Sequence, residues 1–524
     1  MLSRRKPQYR FPLVPISILM IIFSFTFFYY YYLRPSSSLI ELSKTASESR
    51  SVQCSTQALA LGEKFMWYAP HSGFSNQLSE FKNAILMAGV LNRTLIVPPI
   101  LDHHAVALGS CPKFRVSNPN EIRISVWDHV IELIQGARVG FTGINIEGKL
   151  VQTYTCFSIE ELNHSDHSAS PRYMSIAEII DISSLVSSSL VRVIDLRDFV
   201  SIWCGISFDL ACLNDSKLQS SVSKSLKQCR SLLAGLHGND DKCIHAINED
   251  CRTTVWTYKQ GGQEDGMLDS FQPDDQLKKK KKILYVRKRR DVFRTLGPGS
   301  QAESASLLAF GSLFSAPYKG SELYVDIHES PQDQRLQTLM EKIKFLPFVP
   351  EIMNAGKEFR NTTIRAPYLC AQLRLLDGQF KNHQNATFHG LRQKLEALRH
   401  KGTLPIHVFI MTDLPRDNWT NTYLRDLISD SHNYKVYFLK DDVELVREAA
   451  TKLMAAGYGQ RFITNSDNTA GKKYCSKQKL PDVLLYVEQT VCSCASLGLV
   501  VTAGSTIAEN IELMRKYGSS YCQS

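Results

Sequence analysis

Between Phe65 and Pro99 the hydrophobic period of the chain changes twice, and this constrains the fold more than any other feature. Phe65 to Ala69 is a short apolar run, and Pro70 to Ser75 is a Gly-containing loop. From Asn76 to Leu91, Leu78, Phe81, Ile85 and Met87 or Ala88 recur at helical spacing. Thr94 to Pro98 is a second apolar run, closed by Pro98 and Pro99. Strand, loop, helix and strand in about 35 residues make a βαβ unit, and strands joined by a crossover helix lie parallel.

The alternation returns from Tyr368. Strands are expected over Tyr368 to Arg374, Ile406 to Thr412, Lys435 to Leu439 and Leu497 to Thr502. Helices are expected over Ala386 to His400, Tyr423 to Ile428, Pro481 to Ala495 and Ile507 to Lys516. This predicts a second doubly wound sheet. A chain of 524 residues also exceeds what one core usually organises. The expected architecture is therefore two Rossmann-like α/β domains facing a cleft, residues 65–355 and 356–524. Between them only Val191 to Leu196 reads as a strand, and the polar, Cys-containing stretch 214–282 reads as a long insertion.

The N-terminus sets the compartment. No residue from Phe11 to Leu33 is charged, a span of 23 residues, and about 20 suffice to cross a bilayer. Arg4, Arg5, Lys6 and Arg10 crowd one flank, whereas Arg34 stands alone on the other. The positive-inside bias makes 1–10 a cytoplasmic tail, 11–33 a transmembrane signal anchor and 34–64 a stem, with the body in the lumen. Sequons at Asn92, Asn163, Asn214, Asn361, Asn385 and Asn418 agree with a lumenal, glycosylated body. So do thirteen cysteines, five of them (Cys204, Cys212, Cys229, Cys243 and Cys251) grouped as a disulfide framework groups them. The net charge of +10 fits an anionic partner, but much of it sits in the N-terminal tail and in Lys278 to Arg290, read as a solvated loop rather than a nucleic-acid surface.

Three strand ends carry candidate chemistry, because open parallel sheets bind ligands beyond their carboxyl ends. After Thr502 the chain runs through Ala503, Gly504, Ser505 and Thr506 straight into a helix, an arrangement that suits either a phosphate cradle or a plain helix cap. Arg374 ends an apolar strand, where a guanidinium can grip a diphosphate or pair with Asp377 or another carboxylate. In the loop from His71 to Gln77 and the helix it opens, Asn76, Glu80 and Asn83 form a polar stripe that faces solvent or lines a cleft. Glu80 is a general-base candidate on geometry alone.

The segments Gly73-Phe-Ser-Asn-Gln77 and Leu91-Asn-Arg-Thr-Leu-Ile-Val-Pro-Pro99 resemble the opening G-x-x-N-Q and L-N-R-T-L-x-x-P-P of protein O-fucosyltransferases, in layout most like the plant branch. Arg374, Met411-Thr-Asp413 and Gly504-Ser-Thr506 are similar to further motifs of that family, in the same order. The resemblance implies a glycosyltransferase-B-type fold and inverting, metal-independent fucose transfer in the Golgi, with GDP-fucose as donor, a protein or glycan acceptor, and no further cofactor. It also implies that Arg374 and Asn76 are catalytic, and that Gly73, Phe74, Gln372, Asp413, Gly504, Ser505 and Thr506 are substrate-binding. The absence of an Asp-x-Asp strand end or a carboxylate-rich Ca loop agrees with a metal-free site. Gln372 stands where the family has His, which excludes a titrating role there and leaves a catalytically silent binder as the second reading. A relative transferring another nucleotide sugar is the third.

Overall fold

The computed structural model describes residues 62–70, 73–101, 119–135, 173–205, 224–226, 229, 243–248, 254–258, 270–271, 287–313, 333–376, 380–402, 404–440, 442–455, 482–518 and 522. The described residues belong to the second of the chain's two units, Gln57–Ser524. The anchor expected at 11–33 lies outside the described residues, as do Asn163, Asn214 and Lys278 to Lys282. Among the described residues no helix is long and apolar enough to cross a membrane.

The second unit begins with β1 (Phe65–Tyr68), α1 (Phe74–Leu91) and β2 (Thr94–Val97). They are followed by α2 (Pro119–Gln135), β3 (Val193–Asp195), α3 (Leu196–Cys204) and β4 (Ile244–Ala246). Then come β5 (Thr254–Thr257), β6 (Ser270–Phe271), β7 (Arg287–Asp291), α4 (Val292–Leu296) and β8 (Leu307–Phe310). The first sheet has the order β3-β2-β1-β8-β4 with every pairing parallel. The chain builds outward from β1 through β2 to β3, then continues on the other side, so the switch point lies between β1 and β8.

Helices α5 (Gln334–Lys344) and α6 (Pro350–Phe359) lead to β9 (Tyr368–Leu373). After it come α7 (Gln384–Arg399), β10 (Ile406–Thr412), α8 (Tyr423–Ser429) and β11 (Tyr434–Tyr437). Then α9 (Glu444–Ala455), α10 (Leu484–Ser493), β12 (Gly498–Val501) and α11 (Thr506–Tyr517) close the fold. The second sheet is again all parallel, ordered β11-β10-β9-β12, with its switch point between β9 and β12. The pleat sorts its side chains by turns. Leu369, Ala371 and Leu373 pack with Leu391, Leu395, Leu424 and Leu427 of α7 and α8 on one face. Tyr368, Cys370, Phe409 and Met411 face the other way, into a core that also holds α1, α6 and α10 and continues into the first sheet.

The stretch 214–282 is not simply an insertion. It supplies β4, the edge strand of the first sheet, and β5 and β6, which flank β7 in a small third sheet. Two to four residues per strand carry too little alternation to be seen in a Gly- and Cys-rich context. Likewise Arg287 to Arg290 form β7 instead of a loop.

Arg93 explains part of the L-N-R-T-L motif. It is 3% exposed, and its guanidinium donates to Phe65 O at 3.2 Å, Ala305 O at 2.8 Å and Ala302 O at 2.8 Å. It thereby fastens the amino ends of β1, β2 and β8 at the edge opposite the strand ends that carry the candidate site. Burial lowers its pKa to about 10. Replacing Arg93→Ala leaves buried carbonyls without donors, each at about 1–3 kcal/mol. The expected result is a loss of about 3 kcal/mol or more, read as a lower urea midpoint with an unchanged slope.

Candidate functional site

The carboxyl ends of β9 and β12 meet at the second switch point, and the two strands are hydrogen-bonded neighbours. Thr502, fully buried one residue past β12, donates its N–H to Gln372 O at 3.1 Å. Its Oγ1 accepts the backbone N–H of Arg374 at 3.0 Å. The basic strand end and the hydroxyl-bearing turn thus share a hydrogen bond, although 128 positions separate them in sequence. From the other flank Asp413, one residue beyond β10, reaches Arg374 Nε at 3.3 Å and accepts the Leu375 N–H at 2.7 Å. Burial pushes the Asp413 carboxyl up, against the opposing pull of Arg374 and the backbone N–H groups. Burial also pushes the Arg374 guanidinium down, and Asp413 partly offsets this. The Arg374 guanidinium lies 5.5 Å from the Phe380 ring centroid.

The turn itself is Ala503 and Gly504, both exposed, then Ser505 and Thr506. Gly504 has φ +77°, and a Cβ there would meet nothing within 4 Å. Glycine is needed for the left-handed backbone, not for want of space. Ser505 is the N-cap of α11 by backbone, yet its side chain makes no capping hydrogen bond. A serine at that position ordinarily caps the first-turn N–H groups, so here neither those N–H groups nor the hydroxyl are spent on each other.

The first switch point carries the other candidates. Gly73 is the N-cap of α1, and its carbonyl accepts from the N–H groups of Asn76 and Gln77 at 2.9 and 3.1 Å. Phe74 is 1% exposed and lies edge-on to Tyr486 of α10, 4.5 Å between centroids, and 6.2 Å from Phe348. It is a core wedge at the start of α1. Since α1 also packs on α11, the two helices that begin at the two candidate corners touch each other.

The polar stripe of α1 does not face solvent. Glu80 is fully buried and accepts the Ser312 hydroxyl at 2.7 Å, while Asn83 donates to Leu313 O at 2.8 Å. With no exposed atom to offer a substrate, Glu80 is a structural carboxylate. The helix is buried on nearly all sides, so amphipathic spacing gave no warning.

Gln372 and Asn76 differ from these satisfied groups. Gln372 is 1% exposed, on the inner face of β9 two residues before Arg374, and its Oε1 has no hydrogen-bond partner among the described residues. Asn76 Oδ1, Ser75 Oγ and the Tyr68 hydroxyl at the end of β1 are likewise buried atoms without partners among the described residues. Burial, and then the charge of Glu80, push the Tyr68 hydroxyl pKa well up and keep it protonated. Buried polar atoms without partners are rare, and a group of them at strand ends marks a place built for a ligand. Sequence reasoning missed Thr502, Tyr68 and Ser75, since a Thr or Tyr ending a strand is ordinary until its partner is known.

The described sequon residues Asn92, Asn361, Asn385 and Asn418 are all exposed. Disulfides join Cys204 to Cys229, Cys370 to Cys492 and Cys494 to Cys522. Among the described residues no group of three or more His, Cys, Asp or Glu is placed to hold a metal.

These features define a doubly wound parallel α/β protein whose second sheet presents a cation and a helix N-terminus at its switch point, the equipment of an anion-binding edge. No family model matches the chain. O-fucosyltransferase 30 of Arabidopsis thaliana is 55% identical over 514 residues, which cover 97% of this chain and 94% of that protein. Crystal structures of POFUT1 in complex with GDP and with GDP-fucose are 12% identical and cover 87% of this chain, with TM-scores of 0.36 and 0.37; the matches span 97% and 95% of those chains. The chain belongs to the O-fucosyltransferase family.

If the Gln372 amide serves a ligand rather than the fold, Gln372→Met removes an unsatisfied buried group. Stability should then rise by about 1 kcal/mol, seen as a higher thermal midpoint. A drop of similar size would show that the amide is structural.

Proposed function

We propose that this chain transfers fucose from GDP-fucose to a hydroxyl of a protein or glycan acceptor, with inversion and without a metal, as a single-pass Golgi membrane protein whose body is lumenal. Membership of the O-fucosyltransferase family supports the reaction. The observation that carries the site is the bond between Thr502 Oγ1 and the Arg374 N–H, which brings the guanidinium and the Ser505-Thr506 turn to one edge.

In the reaction the acceptor oxygen forms a bond to the anomeric carbon while the bond from that carbon to the β-phosphate oxygen breaks. The diphosphate departs with the electron pair, and the acceptor hydroxyl gives up its proton. The chemical demand is therefore stabilisation of negative charge on the leaving group. Arg374 supplies a positive charge in a setting where burial disfavours the cation and Asp413 offsets this only in part, so a diphosphate relieves the remaining cost. The α11 N-terminus adds backbone N–H groups and the Ser505 and Thr506 hydroxyls, pre-aimed by the fold. A guanidinium and helix dipole do the work that a divalent cation does in metal-dependent transferases. Gln372 and Asn76, with carboxamides of both donor and acceptor character, suit sugar or ribose hydroxyls. The unspent Oε1 of Gln372 accepts one such hydroxyl.

The full-length protein with GDP-fucose should release GDP slowly into water and faster with acceptor. Arg374→Ala should lower that rate by about 10²–10³-fold while the protein remains folded. Stabilisation by GDP without any turnover in the unmodified protein would replace the enzyme with a binding protein. Equal turnover of other GDP or UDP sugars would remove the assignment to fucose.

A further inference from the structure

Asp413 has the wrong sign for a contact with a diphosphate, and its oxygens are already engaged. Oδ1 accepts the Leu375 N–H at 2.7 Å, both oxygens lie 3.4 Å from the Leu376 N, and Oδ2 lies 3.3 Å from Arg374 Nε. We propose that Asp413 is a positioning residue that fixes the loop beginning at Arg374 and so aims the guanidinium, without itself touching the nucleotide sugar. The inference deepens the proposed function and rests on it for the catalytic consequence.

The need for such a clamp follows from the strand. At Leu373, the last residue of β9, the ladder ends, and the next N–H groups lose their strand partners. Parallel register pairs Leu373 with Thr412, which places Asp413 beside Arg374 on the adjoining strand. One carboxylate there can hold backbone and side chain together. Thr502 does the equivalent from β12, so Arg374 is fixed from both neighbouring strands. Thr387 of α7 supports that second arm, with its hydroxyl 3.4 Å from Thr502 Oγ1. An arginine held only by its own rotamer preferences must give up side-chain entropy to reach the transition-state geometry, and a preformed clamp removes that cost from the chemical step.

The test uses the full-length protein in four forms: unmodified, Asp413→Asn, Asp413→Ala and Arg374→Ala, together with the Arg374→Ala/Asp413→Ala double variant. Two readouts apply, GDP release from GDP-fucose and hydrogen exchange of the Leu375 and Leu376 amides. Asp413→Ala should lower kcat by about 10²-fold, the size of effect expected from misplacing a catalytic group, with KM for GDP-fucose within about threefold. It should also accelerate exchange at the two amides. Asp413→Asn keeps an acceptor for the Leu375 N–H and should recover much of the exchange protection but less of the rate. In the Arg374→Ala background the second change should cost nothing further, because a residue acting through Arg374 has no effect once Arg374 is gone. Losses that multiply in the double variant, or a raised KM with kcat unchanged, would make Asp413 a ligand contact and overturn the inference. Lack of turnover in the unmodified protein removes the proposed function alone. The exchange measurement still decides the clamp, and unchanged protection in Asp413→Ala refutes it.

Discussion

The structure depends on β9 being held on every side. Its parallel ladders to β10 and β12 fix it laterally. On the inner face the Tyr368 hydroxyl donates to Val491 O at 2.5 Å, and the Cys370–Cys492 disulfide ties the strand to α10. On the outer face Leu369, Ala371 and Leu373 are sealed under α7 and α8. What leaves this strand is Arg374, and the next partners met by its chain are Thr502 and Asp413. A cation projected from a rigid strand and pinned by both neighbours arrives in place before any ligand does, which is the condition for electrostatic stabilisation without reorganisation.

Around the two switch points the buried polar groups fall into two sets, told apart by whether their hydrogen bonds are satisfied. Arg93, Glu80 and Asn83 are buried and bonded to named partners, so their chemistry is used up in holding strands and helices together. Gln372, Ser75, Tyr68 and the half-buried Asn76 each have a buried polar atom without a partner among the described residues. Leaving such atoms dry costs about 1–3 kcal/mol each, a cost that a purely structural position would have no reason to carry. They sit at the ends of β9 and β1 and at the start of α1, the same edges that the two switch points single out.

Much of this was legible in the sequence where periods were long and strands came one per helix. The strands Phe65–Tyr68, Thr94–Val97, Tyr368–Leu373 and Ile406–Thr412 were read to within a residue or so, and so was the helix Gln384–Arg399. Beyond those, local pattern failed for identifiable reasons. Strands β4 to β7 are too short to show alternation, and β7 is basic, opposite to the usual strand composition. Phe74 looked like a loop residue because its partner Tyr486 lies 412 positions on. Among the site residues, types and order were readable, but the division of labour was not. Asp413, expected among the substrate contacts, accepts the Leu375 N–H, a backbone role that no local pattern announces. Glu80, a general-base candidate on geometry alone, is fully buried and accepts the Ser312 hydroxyl.

The packing also limits how the two sheets can cooperate. A single apolar cluster runs from Met66 and Phe81 of the first sheet and α1 through Phe348 to Cys370, Phe409 and Tyr486 of the second half. Helices α1 and α11 touch, and each begins at one of the two candidate corners. Close-packed interiors resist sliding, so the Asn76 corner and the Arg374 corner cannot part without opening shared core. The turn at Ala503 and Gly504 is exposed, and a Cβ on its left-handed glycine would meet nothing within 4 Å, so this backbone stands clear of that core.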